Sequence, residues 1–198
     1  MAIAAGREIF IDPLRSVQRR AALPAKLRST SPIMLHFGCG EIADPRFINV
    51  DARVFLHVDY VTKAPTMPAI PKGTADMIYA CHVFEHIPFR SQEAVLRRWR
   101  ELLKSGGELR LSVPDFEKVT DLYRSGKVDF DWMQMVLMGG QEYPGNFHFA
   151  LFTADRLQFL IERAGFNRVR HWRPAEQDSW PRDWSWEEDL SLNLCANK

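Results

Sequence analysis

Near the start of this chain only six residues, 41–46, separate the glycine turn that ends one apolar run from the start of the next, and that shortage excludes most ways of joining the two runs. The run Ile33-Met34-Leu35-His36-Phe37 breaks at Gly38-Cys39-Gly40, and a second run, Phe47-Ile48-Asn49-Val50, ends on the carboxylate of Asp51. A parallel crossover usually takes about a dozen residues or more and carries a helix. Residues 41–46 cannot hold one, so a parallel pair here must be joined by a loop. Glycines at a strand exit let the backbone approach a ligand with no Cβ in between. A carboxylate closing the next strand can accept both hydroxyls of a ribose. Any tight turn followed by a strand-end Asp would look the same, so the weight rests on the later segments of the chain.

Ala75–Ile87 reads as a buried strand running into a loop that holds His82, Glu85 and His86. Leu102–Pro114 reads as a helix end, a Gly-Gly turn at Gly106-Gly107 and another strand. Strands are expected at 33–37, 47–51, 55–58, 76–80, 108–113, 167–172 and 190–196, and helices at 91–104, 115–125, 130–138 and 153–164. Ser91 marks a helix start and Gly106 a stop. An N-terminal helix is expected over 14–28, broken or ended near Pro24, and Ser29–Pro32 links it to the first strand. The chain thus divides into two segments, residues 1–32 and a domain over 33–198. The alternation of strands and helices after residue 76 predicts an α/β, doubly wound and mostly parallel sheet.

A chain of 198 residues suits one core. A formal charge of +1 leaves no electrostatic footprint for nucleic acid or an anionic membrane, and Arg97-Arg98-Trp99-Arg100 reads as the solvated face of a helix. No run approaches the roughly 18 apolar residues of a membrane span, and no signal-peptide core opens the chain. Cys39, Cys81 and Cys195 are an odd number at spacings unlike a zinc site, which fits a reducing cytoplasm. The expectation is a cytoplasmic protein with neither nucleic-acid nor membrane partners and no metal ligands.

Taken together, Gly38-Cys39-Gly40 with Asn49-Val50-Asp51, the Asp76–His86 strand and loop, the Gly106–Asp115 segment and Ala164-Gly165-Phe166 resemble the class I S-adenosylmethionine-dependent methyltransferases, in particular their small bacterial, type 11-like branch. The likeness spans residues 33 to 170 in order. It implies a Rossmann-like sheet of seven strands, the last antiparallel, with shortened crossovers in the first half. It also implies that S-adenosylmethionine lies across the carboxyl ends of the strands. Gly38, Cys39 and Gly40 would line it by backbone, Asp51 would hold the ribose, and Ala52 or Arg53 would flank the adenine. Asp59 with Tyr60 stands where the family often sets a carboxylate against the adenine amine, and Cys81-His82 would pass the sulfonium. Two positions depart from the common pattern: His36 replaces an acid, and Glu41-Ile42 stands where many members carry a third glycine.

Methyl transfer to a hydroxyl or amine calls for positioning and a base. His82, His148 and His86 are the catalytic candidates, because the imidazole pKa lies near neutrality. A loop histidine bonded to backbone is the plainer role for His86. Asp115 is either a base or a helix cap. The tryptophans at 172, 180, 184 and 186 either pack a long loop on the sheet or wall an acceptor pocket. The expected acceptor is a small molecule or a saccharide. The alternatives are a binding or scaffold protein that keeps the fold without turnover and, less favoured, a nicotinamide-dependent oxidoreductase. The latter would need a third glycine and a helix behind it.

Overall fold

The computed structural model describes residues 26–28, 32–63, 65–143, 145–177 and 180–198. Its spine is one seven-stranded sheet. The strands are β1 (Met34–Phe37), β2 (Phe47–Asp51), β3 (Tyr60–Val61), β4 (Ala75–Cys81), β5 (Leu103–Pro114), β6 (Asn167–His171) and β7 (Ser191–Asn197), in the spatial order β3-β2-β1-β4-β5-β7-β6. All pairs from β3 to β5 are parallel, whereas β7 runs antiparallel between β5 and β6. The helices are α1 (Gln92–Leu102), α2 (Phe116–Arg124), α3 (Phe130–Met138) and α4 (Ala154–Arg163).

Register sorts the side chains into two faces, because residues paired across strands point the same way. Leu35, Ile48 and Ile78 share one face, continued by Leu109 and Leu194. Against it lies α1, whose Val95, Leu96, Trp99 and Leu102 recur at helical spacing and are all buried. Leu157, Leu160 and Ile161 of α4 complete that core. The other face presents Phe47, Tyr79, Cys81 and Cys195, and here Trp172 and Trp180 pack edge-on against Tyr79. Loop packing is therefore the role of these two tryptophans, and Trp186 packs partly buried beside them. Trp184 stands apart, 59% exposed.

Three segments differ from expectation by more than one residue at an end. Phe55–Val58 forms turns rather than a strand, and the third strand is Tyr60–Val61. The Arg53 guanidinium lies 4.9 Å over the Phe55 ring and His57 Nε2 is 2.9 Å from the Gly40 carbonyl, so local contacts fold this apolar stretch back toward the glycine turn. Next, α1 ends at Leu102 rather than 104, and the chain enters β5 at once, with Gly106-Gly107 inside the strand. Leu103 already pairs with Ala75, and a register shift then absorbs the glycines. Of the expected helix over 14–28, residues 26–28 are helical and the rest lies outside the described residues. Among the described residues, no helix is long and apolar enough to cross a membrane.

Candidate active site

The glycine turn is built onto β2. The amides of Gly38 and Cys39 both donate to the Val50 carbonyl, at 2.7 and 3.2 Å, and Gly40 N donates to Asp51 Oδ2 at 2.8 Å. All three amides are thus committed to the sheet, so a ligand here meets the turn through its surface and its carbonyls. Gly38 and Gly40 adopt φ of +63° and +56°, where a side chain is strained. A Cβ on Gly38 would lie 2.1 Å from Val83 Cγ2, which shows how tightly the turn abuts the loop after β4.

Asp51 is 6% exposed, and its other oxygen accepts the Arg53 amide at 2.7 Å. Each carboxylate oxygen has two lone pairs, so each keeps capacity for a hydroxyl after its one backbone bond. A turn of two glycines with the Cys39 side chain buried, beside a buried carboxylate with that capacity, fits the adenosyl part of S-adenosylmethionine. Ala52 is exposed just beyond Asp51. The Arg53 guanidinium lies 3.5 Å from Asp51 and 5.1 Å over the Tyr143 ring, which links this turn to the segment carrying His148.

The remaining expected cofactor residues are not gathered there. Asp59 sits beside the middle of β2, where its carboxylate accepts Asn49 N at 2.9 Å and pairs with Lys26. Tyr60 is buried in the main core. The Cys81 side chain belongs to the tryptophan-covered face, and burial pushes its thiol far above the ordinary range. The Cys39 thiol, also buried, is pushed up for the same reason.

After β4, His82 takes a left-handed φ of 50°, uncommon for a residue with a side chain. The 3-10 turn Phe84–His86 follows after Val83. A hydrogen-bond chain fixes the His82 tautomer. Ser191 Oγ donates to the Trp184 carbonyl at 2.7 Å, so it accepts from His82 Nε2–H at 2.9 Å, which leaves a lone pair on Nδ1. The Trp184 ring stacks on the same imidazole at 5.9 Å. Likewise His86 Nδ1 donates to the Phe147 carbonyl at 3.0 Å, so its lone pair is on Nε2.

His148 arrives from a distant segment that is laced to this turn. Phe149 N donates to the Glu85 carbonyl at 2.8 Å and His148 N to the Met138 carbonyl at 3.0 Å. The His86 and His148 rings meet edge to face at 4.7 Å. A cleft of about 170 Å³ is bordered by Met138, Gly139 and Gln141, and a Cβ on Gly139 would lie 3.2 Å from the His148 ring.

At the centre lies Glu85, which is not among the catalytic candidates drawn from the sequence. It is 1% exposed, and neither carboxylate oxygen has a hydrogen-bond partner among the described residues. His82 Nδ1 is 3.8 Å and His148 Nε2 3.9 Å from Oε1. These spacings are too long for hydrogen bonds, and the groups are not ion pairs. Burial lifts the Glu85 carboxyl to about 8. Burial also lowers His82 to about 3 and His148 to about 4, helped by the neighbouring histidines. His86 is lowered by burial too. Asp115, by contrast, caps α2 by accepting Glu117 N at 3.1 Å.

A family profile described as "Methyltransferase domain" matches residues 7–171. Among solved structures, a SAM-dependent methyltransferase from Archaeoglobus fulgidus is 14% identical, with 93% of each chain covered and a TM-score of 0.55. The 1,6-didemethyltoxoflavin-N1-methyltransferase of Burkholderia thailandensis, solved with 1,6-didemethyltoxoflavin and S-adenosylhomocysteine, is 16% identical, covers 94% of this chain and 79% of its own, and has a TM-score of 0.54. A SAM-dependent methyltransferase from Thermotoga maritima, described as a possible histamine N-methyltransferase, is 14% identical over 92% and 89% of the two chains, with a TM-score of 0.54. At these identities the likeness is one of fold. No curated protein matches by sequence. The chain belongs to the methyltransferase-domain family, with the class I fold, and the donor it is built to hold is S-adenosylmethionine.

Proposed function

We propose that the protein transfers the methyl group of S-adenosylmethionine to a small-molecule or saccharide acceptor held at the histidine cluster. The observation that carries this reading is the convergence of His82, Glu85, His86 and His148 beside the Gly38 turn. S-adenosylmethionine, when bound, supplies a methyl group on a sulfonium that a lone pair can attack. The chain's own residues position and receive. Asp51 and the glycine turn hold the donor. The 143–152 segment and Trp184 border the acceptor side. His82 Nδ1 carries the lone pair that would take the acceptor's proton, and its tautomer is held by Ser191. Loops at strand carboxyl ends are where such sheets place their sites.

The test is production of S-adenosylhomocysteine with a panel of sugars, phenols and small amines, in the wild type and in His82→Asn and His148→Asn. Turnover on one acceptor, slowed at least about tenfold by either substitution with donor affinity kept, is the expected result. Donor binding without turnover on any acceptor would instead favour the scaffold reading.

A further inference from the structure

Among the described residues, the Glu85 carboxyl has no hydrogen-bond partner, and the nearest imidazole nitrogens, of His82 and His148, stand 3.8 and 3.9 Å from it. The Ser191 bond turns the His82 Nδ1 lone pair toward its carboxylate, and the Phe147 carbonyl takes the proton of His86 Nδ1, leaving Nε2 bare. Glu85 itself contributes two buried oxygens without a hydrogen-bond partner among the described residues. A buried polar group left unpaired costs about 1–3 kcal/mol, and a buried unpaired charge costs more. A convergence of acceptors is tolerable if something positive sits among them.

One donor atom each from Glu85, His86 and His148 already lies within 4.8 Å of the others. Metal–ligand bonds of about 2.0–2.2 Å would set such donors roughly 3–3.5 Å apart, so small side-chain rotations would close the set. A histidine ligand commonly donates its second N–H to a carbonyl, which fixes tautomer and orientation. His86 does this with Phe147. Two imidazoles and one carboxylate suit first-row transition ions better than Ca²⁺ or Mg²⁺, which prefer all-oxygen sets.

We propose that Glu85, His86 and His148 form a binding site for a divalent first-row transition ion, whose open positions take a hydroxyl oxygen of the methyl acceptor. The site adjoins the donor cradle, because Val83, next to His82, packs on Gly38 and Arg53 spans from Asp51 to Tyr143. An ion there would orient the acceptor oxygen and ease loss of its proton, leaving His82 to receive it. The acceptor is therefore hydroxyl-bearing. This last step rests on the methyl-transfer reading; the cation site itself does not.

The experiment is titration of the full chain, freed of metal by chelation, with Co²⁺ as the probe. Visible ligand-field absorption reports binding, and calorimetry with S-adenosylhomocysteine is run on the same samples. The expected result is one saturable Co²⁺ per chain, weakened at least about tenfold in the near-isosteric Glu85→Gln and in His86→Asn at the half-exposed ring. Circular dichroism identifies which variants are folded. Saturable Co²⁺ binding without S-adenosylhomocysteine binding would support the cation site and refute the donor reading. Absence of saturable Co²⁺ binding in the wild type, or unchanged binding in both variants, would overturn the proposal.

Discussion

Asp51→Asn is the substitution that separates the two roles of the strand-end carboxylate. Its oxygens each accept one backbone N–H, from Gly40 at 2.8 Å and from Arg53 at 2.7 Å. An amide of the same shape has only one accepting end, so one of these donors would face an NH₂ group. Losing one charge-assisted bond costs about 1.5–3 kcal/mol. Gly40 is only half-buried, so water can reach its amide and the cost settles near the low end, about 2 kcal/mol. For a domain of this size that is a fall in Tm of about 4–8 °C. On the proposed donor site, the same change also removes the charge that would face the ribose, with an expected loss of roughly tenfold to more than a hundredfold in donor affinity.

Thermal unfolding reads the first effect and calorimetric titration with S-adenosylhomocysteine reads the second. A lowered Tm with unchanged affinity would make Asp51 a brace for the glycine turn and nothing more. Wild-type values for both would refute the geometry as well as the role.

Gly38→Ala should destabilise by about 2–5 kcal/mol, combining a left-handed φ with a methyl driven into Val83, whereas Gly40→Ala meets only the movable Arg53 guanidinium at 3.3 Å and should cost about 1–2 kcal/mol; denaturant unfolding ranks them, and the reverse order would be wrong for this turn. His36 is buried among Phe47 and Tyr79, with Asp183, Asp44, Asp51 and His57 as its charged surroundings, and burial lowers it to about 4. The unfolded chain therefore takes up its proton first, so stability is full above about pH 6.5 and falls by up to about 3 kcal/mol toward pH 4; His36→Leu should flatten that part of the stability profile. Trp184→Ala removes an exposed ring stacked on His82, so Tm should hold within a degree or two while turnover on the identified acceptor drops; a large loss of stability would show the ring to be structural.

Much of the fold is legible because it depends on local pattern. The runs at β1, β2 and β4 are mostly apolar, interrupted by His36, Asn49 and Asp76, as strands buried on both faces tend to be. The six-residue gap before Phe47 foretells a loop crossover, and Asp44 supplies the turn, accepting Arg46 N at 2.9 Å before the chain re-enters the sheet. The third strand is misplaced by its neighbours rather than by its propensity. Residues 55–58 are as strand-like as Tyr60-Val61, but the contacts of Phe55 with Arg53, of His57 with Gly40 and of Val58 N with the Phe55 carbonyl accompany turns there instead. The same contacts leave Asp59 beside β2 rather than at the strand ends.

The histidine cluster is half legible, and the missing half explains the rest. Adjacency in sequence gives no reason for the Glu85 and His86 side chains to meet, since neighbours on a strand point apart. A 3-10 turn shortly after β4 changes that geometry, bringing His82 and Glu85 together three residues apart. His148 can then be placed only by tertiary bonds, through Phe149 N to the Glu85 carbonyl and Phe147 O to the His86 ring. One signal in the sequence does point at Glu85: a carboxylate set between Phe84 and Ile87, immediately beyond a strand buried in the core. A carboxyl in such a place needs a partner, and among the described residues neither of its oxygens has a hydrogen bond. That mismatch, rather than the presence of three histidines, is what distinguishes the site from an ordinary polar loop.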